Sequence, residues 1–214
     1  MKKMIVLPAA AVLAVTILTA FTKFPWQTKS TAAVVKSSSG QTSNWVLDKV
    51  HSNVLFSITH LVVSDVEGSF KSFDGSMQAT KPDFSDAVIN FTVDVSSVST
   101  DNEMRDKHLK SDDFFNADKF PQMKFSSTSF QPLGNNKYKL SGNLTIRDVT
   151  KPVTFDVNYG GQVNAMGGTH AGFKAKTTIN RLDYNLKWDK TTEAGGLVVG
   201  HDVDITINVD MKKS

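Results

Sequence analysis

Lys137-Tyr138-Lys139-Leu140-Ser141-Gly142-Asn143-Leu144-Thr145-Ile146-Arg147 decides how this chain folds. Apolar or small residues take the even positions and polar ones the odd, which puts one row of side chains on each face of a β-strand. The same beat runs through Val54, Phe56, Ile58 and His60, with Leu55 breaking it, and through Ile89, Phe91, Val93 and Val95. It returns in Val153–Tyr159, Ala171–Ile179 and Val203–Met211. Turn-forming clusters separate the runs: Lys81-Pro82-Asp83, Leu133-Gly134-Asn135-Asn136, Gly160-Gly161, Gly167-Gly168 and Gly195-Gly196. Parallel strands need crossover helices, so long strands with short turns predict an antiparallel meander. The fold class is all-β, either a closed barrel of about eight strands or a two-sheet sandwich. Strand length and the small residues on the apolar rows (Gly142, Ala171, Ala175, Thr177) favour a barrel with interior volume. A filled sandwich acting through protein partners is the competing reading.

One segment breaks the β pattern. Asn102–Phe115 is densely charged, and Thr100 followed by Glu103 has the spacing of a capping box, which predicts one short helix ending in a Phe pair. Arg105 and His108 stand three apart and share a face, with Met104 and Leu109 beside them. Two readings of that face stand together. The pair greets a ligand's polar head at a barrel mouth, or the helix is an amphipathic lid with solvated charges.

The charge balance divides at residue 43. Lys2, Lys3, Lys23, Lys29 and Lys36 face no acid in residues 1–43, which leaves 19 of the 24 basic residues against all 21 acidic ones. The remainder is slightly acidic, which argues against nucleic-acid binding, because that needs a basic surface to displace counterions. There is no cysteine, and with it go disulfides, thiolate metal sites and cysteine nucleophiles. Lys2-Lys3 ahead of the apolar run Met4–Phe21 is the layout of an export signal, close also to the length of a membrane span. Residues 1–26 are therefore a signal peptide or an N-terminal membrane anchor, 27–43 a Ser/Thr/Lys-rich linker, and 44–214 the domain. Either form of the leader places the domain outside the cytoplasm, in the periplasm or tethered to the inner membrane.

Catalytic and metal chemistry find little support. His51, His60, His108, His170 and His201 form no ligand pair at readable spacing, so no metal or other cofactor is expected. His60, on an apolar row, reads as a hydrogen-bonded core histidine. Asp202, Asp204 and Asp210 fall on a polar row and read as solvated surface. No nucleophile elbow or phosphate loop is present.

Several motifs in order then resemble one family. They are Asp48-x-x-His51-Ser52 with Val54-x-Phe56-x-Ile58-x-His60-Leu61, Gly68-x-Phe70 and Phe73-x-Gly75. Further on stand Arg105-Asp106-x-His108-Leu109-x-Ser111-x-Asp113-Phe114-Phe115, Phe120-Pro121-x-Met123-x-Phe125, Leu144-Thr145-Ile146, Val149–Val153 and Asn180-Arg181-x-Asp183-Tyr184. Together they resemble the YceI-like, polyisoprenoid-binding family from about Trp45 to Lys213. Asp148 and Asn185 depart from its pattern at turn positions where glycine is common. The resemblance implies a lipocalin-like barrel, exported and without established enzymatic activity, holding a long isoprenoid or other lipid chain. Its apolar contacts would be Val54, Phe56 and Ile58, then Ile89 and Phe91, and on later strands Phe125, Leu144, Phe155, Phe173 and Ile205. Arg105, His108 and Arg181 are the candidates for a polar head group. An enzyme acting on a hydrophobic substrate is the alternative. Transient membrane contact and a dimer are both compatible with the pattern.

Overall fold

The computed structural model describes residues 41–214; the expectations for residues 1–26 and nearly all of the 27–43 linker lie outside them. The strands are β1 (Ser43–His60), β2 (Ser64–Phe70), β3 (Phe73–Ala79), β4 (Val88–Asp94), β5 (Val98–Ser99), β6 (Gln122–Gly134), β7 (Lys137–Ile146), β8 (Val149–Ala165), β9 (Gly168–Asn180) and β10 (Val199–Lys213). They form one antiparallel sheet in the order β10-β9-β8-β7-β6-β4-β3-β1-β2-β5, and an added β10–β1 pairing closes it into a barrel. β1 is long enough to pair with β3 at its start (Ser43↔Ala79) and β2 at its end (His60↔Ser64). β2 and β3 thus share one barrel position, and β5 extends β4's, which gives the eight-stranded lipocalin-like barrel and excludes the filled sandwich.

The turns differ from expectation in two places. Gly160-Gly161 lies inside β8, where Tyr159 pairs with Phe173 and Gly161 with Gly172 across a register shift. Gly161 has φ +105, so the glycine lets the strand bulge instead of turning it. Asn185 does take a left-handed φ of 62, but in the β7–β8 turn that conformation belongs to Arg147 (φ 55) rather than Asp148.

The barrel has a packed end and a mouth. At the packed end, the β3–β4 loop drives Phe84, 1% exposed, between the strands. Its ring meets Trp45, Tyr159 and Phe173 edge-on at 5.4, 5.8 and 5.5 Å, and Tyr138 donates its hydroxyl proton to the Asp83 carbonyl at 2.9 Å. Aromatic edges pack well against faces, so this plug is dense. At the mouth stand the β1–β2 turn, the β4–β6 connection with α1 (Glu103–Lys110), the β7–β8 turn and the β9–β10 connection.

Glycines keep the wall thin. A Cβ on Gly68 would lie 2.3–2.9 Å from three ring atoms of Phe56, whereas one on Gly142 would lie 2.4 Å from Phe125 and 2.5 Å from the Ser126 carbonyl. The first clash is with a ring that can swing into the lumen; the second is with backbone that cannot. Gly142→Ala should therefore cost about 1–3 kcal/mol of stability, measured by urea denaturation. Gly68→Ala should cost less and instead shorten or thin the ligand the barrel accepts. Equal destabilisation by the two would refute this account of the wall.

Candidate functional site

The inward rows of the strands enclose a cavity of about 390 Å3. All ten apolar residues predicted to face it do so. Val54, Phe56 and Ile58 come from β1, Ile89 and Phe91 from β4, Phe125 from β6, Leu144 from β7, Phe155 from β8, Phe173 from β9 and Ile205 from β10. The volume falls in the usual range for small-molecule sites, about 300–1,000 Å3. Phe125 and Phe155 meet edge-on at 5.5 Å across the wall. His60, expected in the core with a partner, is half-buried among the residues that line the cavity, and its ring has no hydrogen-bond partner among the described residues. The alternation placed it on the right face, but the lumen is hollow there.

α1 forms where predicted with a different cap. The helix begins at Glu103, and Asn102 is its N-cap, its side-chain oxygen accepting from the Arg105 N–H at 3.0 Å. Thr100 lies too early to cap it. Its hydroxyl donates to Asp106 Oδ1 at 2.6 Å and accepts from Arg105 Nε at 2.7 Å. Arg105 Nη2 also donates to the Thr100 carbonyl at 2.7 Å, and no carboxylate among the described residues forms an ion pair with this guanidinium. Arg105 therefore lines the cavity as a positioned cation with Nη1 uncommitted. His108 also lines it, with Nε2 2.8 Å from Asp113 Oδ2 and its ring edge-on to Phe114 at 5.1 Å and Trp188 at 5.6 Å.

Arg181 has a different task from the one expected. It lines the cavity but is only 3% exposed. Nε donates to the Gly200 carbonyl at 2.8 Å, Nη1 to those of Leu186 and Trp188 at 2.7 Å each, and Nη2 to Val199 at 3.3 Å, with Asp189 Oδ1 at 3.6 Å. Four of a guanidinium's five N–H donors are thus spent on main-chain carbonyls, and its charge faces Asp189, which leaves it poorly placed to take a head group. Burial draws its pKa below the ordinary value, and Asp189 opposes that shift. Arg181 thus binds the β9–β10 connection to the start of β10.

Arg147 does similar work and was not singled out in the sequence. Nη1 donates to the carbonyls of Asp112 (3.0 Å), Phe114 (2.7 Å) and Asn185 (2.9 Å), and Nη2 to Asp112 Oδ1 at 3.0 Å. It joins the loop after α1 to the β9–β10 connection and so holds Phe114 against Trp188, ring centroids 5.6 Å apart. Trp188 was missed as well. Its only sequence signal is an aromatic within a polar loop.

A second cluster lies away from the cavity. In β1 the five steps from Asp48 to Asn53 face two steps of β10, and the resulting bulge carries the Asp48-x-x-His51-Ser52 motif. His51 Nδ1 lies 2.9 Å from Asp48 Oδ2, Ser52 Oγ donates to the Asp48 carbonyl and accepts from the Asp210 N–H, and His170 Nδ1 lies 2.9 Å from Asp210 Oδ1. Asp48, His51 and Asp210 each bring a potential ligand atom within 4.8 Å of the others, a juxtaposition no sequence spacing revealed. Asp210 is thus part of a bonded cluster, not merely solvated surface.

The Asp48 hydrogen bond, aided by the Asp48 and Asp210 charges, raises the His51 pKa above its ordinary 6.5. The same hydrogen bond lowers Asp48 below its ordinary 3.8, against the opposing effect of desolvation. A raised histidine stabilises below 6.5 and loses that contribution as pH rises through the folded value; a lowered aspartate stabilises above 3.8 and loses it on acidification. The pair contributes most between those limits. The melting-temperature loss in His51→Gln should accordingly be largest near pH 5 and shrink toward pH 8; a loss that ignores pH would exclude the pair as its source.

The YceI-like domain matches residues 45–211. A UPF0312 protein of Staphylococcus aureus is 37% identical over 174 residues, which cover 80% of this chain and 99% of that protein. A crystal structure of a YceI protein from Campylobacter jejuni superposes with a TM-score of 0.62 at 32% identity, covering 78% of this chain and 96% of that one. A polyisoprenoid binding domain from Saccharophagus degradans, implicated in plant cell wall breakdown, shares the fold at a TM-score of 0.58 with 14% identity, covering 79% and 98%.

Proposed function

The chain belongs to the YceI-like family, and on that footing we propose that it carries a long apolar chain, of polyprenyl, quinone or fatty-acyl type, in the barrel. The observation that carries the reading is the cavity of about 390 Å3, walled by inward apolar rows and bordered at the mouth by cationic side chains. Each 100 Å2 of apolar ligand surface taken from water contributes about 2.5 kcal/mol before the costs of binding. A single tail of several isoprene units supplies the affinity, and the head needs only orientation. Of the three head-group candidates, Arg105 is the one whose charge and Nη1 remain available, and His108 reaches a head only by sharing it with Asp113.

Organic extraction of purified protein followed by mass spectrometry should yield about one lipid per chain, and stripped protein should rebind a prenyl quinone or prenyl pyrophosphate. If neither is seen, the carrier reading falls. Arg105→Gln should weaken the pyrophosphate roughly tenfold or more, as for a lost charge-assisted hydrogen bond, and leave the quinone nearly unchanged. Arg181→Met should instead lower stability by about 3–5 kcal/mol, because buried carbonyls lose their donor, and affect both ligands alike. Equal selectivity in the two variants would remove Arg105 from the head site.

The leader supports a location outside the cytoplasm, where a hydrophobic cargo passes between membrane and aqueous space. Cell fractionation and N-terminal sequencing of the mature chain test this. A start at Met1 with the protein in the cytosol would overturn it, while retention in the inner membrane identifies the anchored form.

A further inference from the structure

The β1–β2 turn is built against its own backbone preference. Leu61 and Val62 have φ of 51 and 66, and the Val63 N–H reaches the His60 carbonyl at 3.3 Å. Left-handed φ at both central residues is the pattern of a type I′ turn, which favours Asn-Gly, and a β-branched residue there is a genuine outlier. The barrel uses the favoured residues at another turn, with Asn135 and Asn136 at φ 51 and 58. Packing does not repay the strain at Leu61-Val62-Val63, because these side chains are 42%, 68% and 86% exposed. Strain held without packing gain marks a functional position.

The place of the turn says what that function is. His60 just before it and Val198 beside it line the cavity, and the Leu61 N–H bonds the Val198 carbonyl at 3.0 Å. Met104, 83% exposed, stands on α1 next to the cavity-lining Arg105. The β9–β10 connection to which the turn is bonded carries Lys187 and Lys190 against Asp189 and Glu193, and Asp65 follows the turn in sequence, so the segments that hold the apolar tip are balanced in charge rather than cationic. That combination suits an acyl layer rather than anionic head groups.

Resting on the carrier reading, we propose that Leu61-Val62-Val63 inserts into a lipid bilayer and sets the mouth of the barrel in the membrane. The cargo then passes from acyl layer to lumen without crossing water.

The test uses residues 41–214, which close on themselves as a barrel; the match to the S. aureus relative covers 80% of this chain and 99% of that protein. In the triple variant L61N/V62G/V63S, the first two substitutions place favoured residues at the left-handed positions. The variant should melt no lower than wild type, and higher if the strain is released. Its co-sedimentation with neutral phosphatidylcholine vesicles should fall by more than about tenfold, since burying one aliphatic side chain contributes that much on its own. Uptake of a prenyl quinone from those vesicles should slow in parallel, while affinity for quinone delivered on cyclodextrin stays the same.

Vesicle binding unchanged in the variant, or binding that needs anionic lipid and vanishes in salt, overturns the proposal. So does a wild-type dimer that the variant turns into monomers, since a second copy then covers the tip. Tip-dependent sedimentation without quinone uptake upholds the membrane contact and instead removes the carrier reading.

Discussion

The β1–β10 ladder is the constraint on which the rest depends. Trp45↔Lys213 at one end and His60↔Val199 at the other join the first and last strands of the domain. Without that seam the sheet would have two open edges, each a row of unpaired donors and acceptors. With it, backbone hydrogen bonding holds a cylinder open although hydrophobic burial favours collapse. The core is consequently a shell: Val54, Phe125, Leu144 and Phe155 are buried against their neighbours and still face a void. Closure also links residues far apart in sequence, a topology that folds slowly because loop closure must come before the contacts that reward it.

A cylinder leaves its connections at the ends, and connections are rich in carbonyls with no strand partner. Arg147 and Arg181 meet that need at the mouth. Each gathers carbonyls from separate segments with one planar fork, where lysine would present a single point charge. Phe114, Trp188 and His108 are packed together by these clasps rather than by strand pairing. Arg105, braced on Thr100 within its own segment, lines the cavity with a charge that is not spent on another segment.

What the sequence made legible follows from this division. The period of two reports which face a side chain takes, so the rows holding Phe91, Phe173 and Ile205 could be read directly and all reach the lumen. The short helix was visible from its charge density, but its cap was not, because Asn102 and Thr100 compete for the role and the exact first residue decides between them. Gly160-Gly161 reads as a turn on composition, and only the continued pairing with Phe173 and Gly172 reveals a bulge. Arg181 misled for a physical reason. Its partners are main-chain oxygens delivered by loops, and a residue string carries no record of where carbonyls point. The Asp48–His51–Asp210 cluster was hidden likewise, since the closing ladder brings together its two distant segments.

The Phe84 plug, with Trp45, Tyr159 and Phe173 around it, makes the lumen a blind tube. A blind tube has no through-traffic. An elongated occupant enters by one end, cannot turn round in a bore lined with phenylalanine, and leaves in the reverse order of its arrival. On the carrier reading proposed above, donor and acceptor would have to use the same doorway in succession, docking and redocking in turn, because a tube with one open end cannot bridge two sources at once.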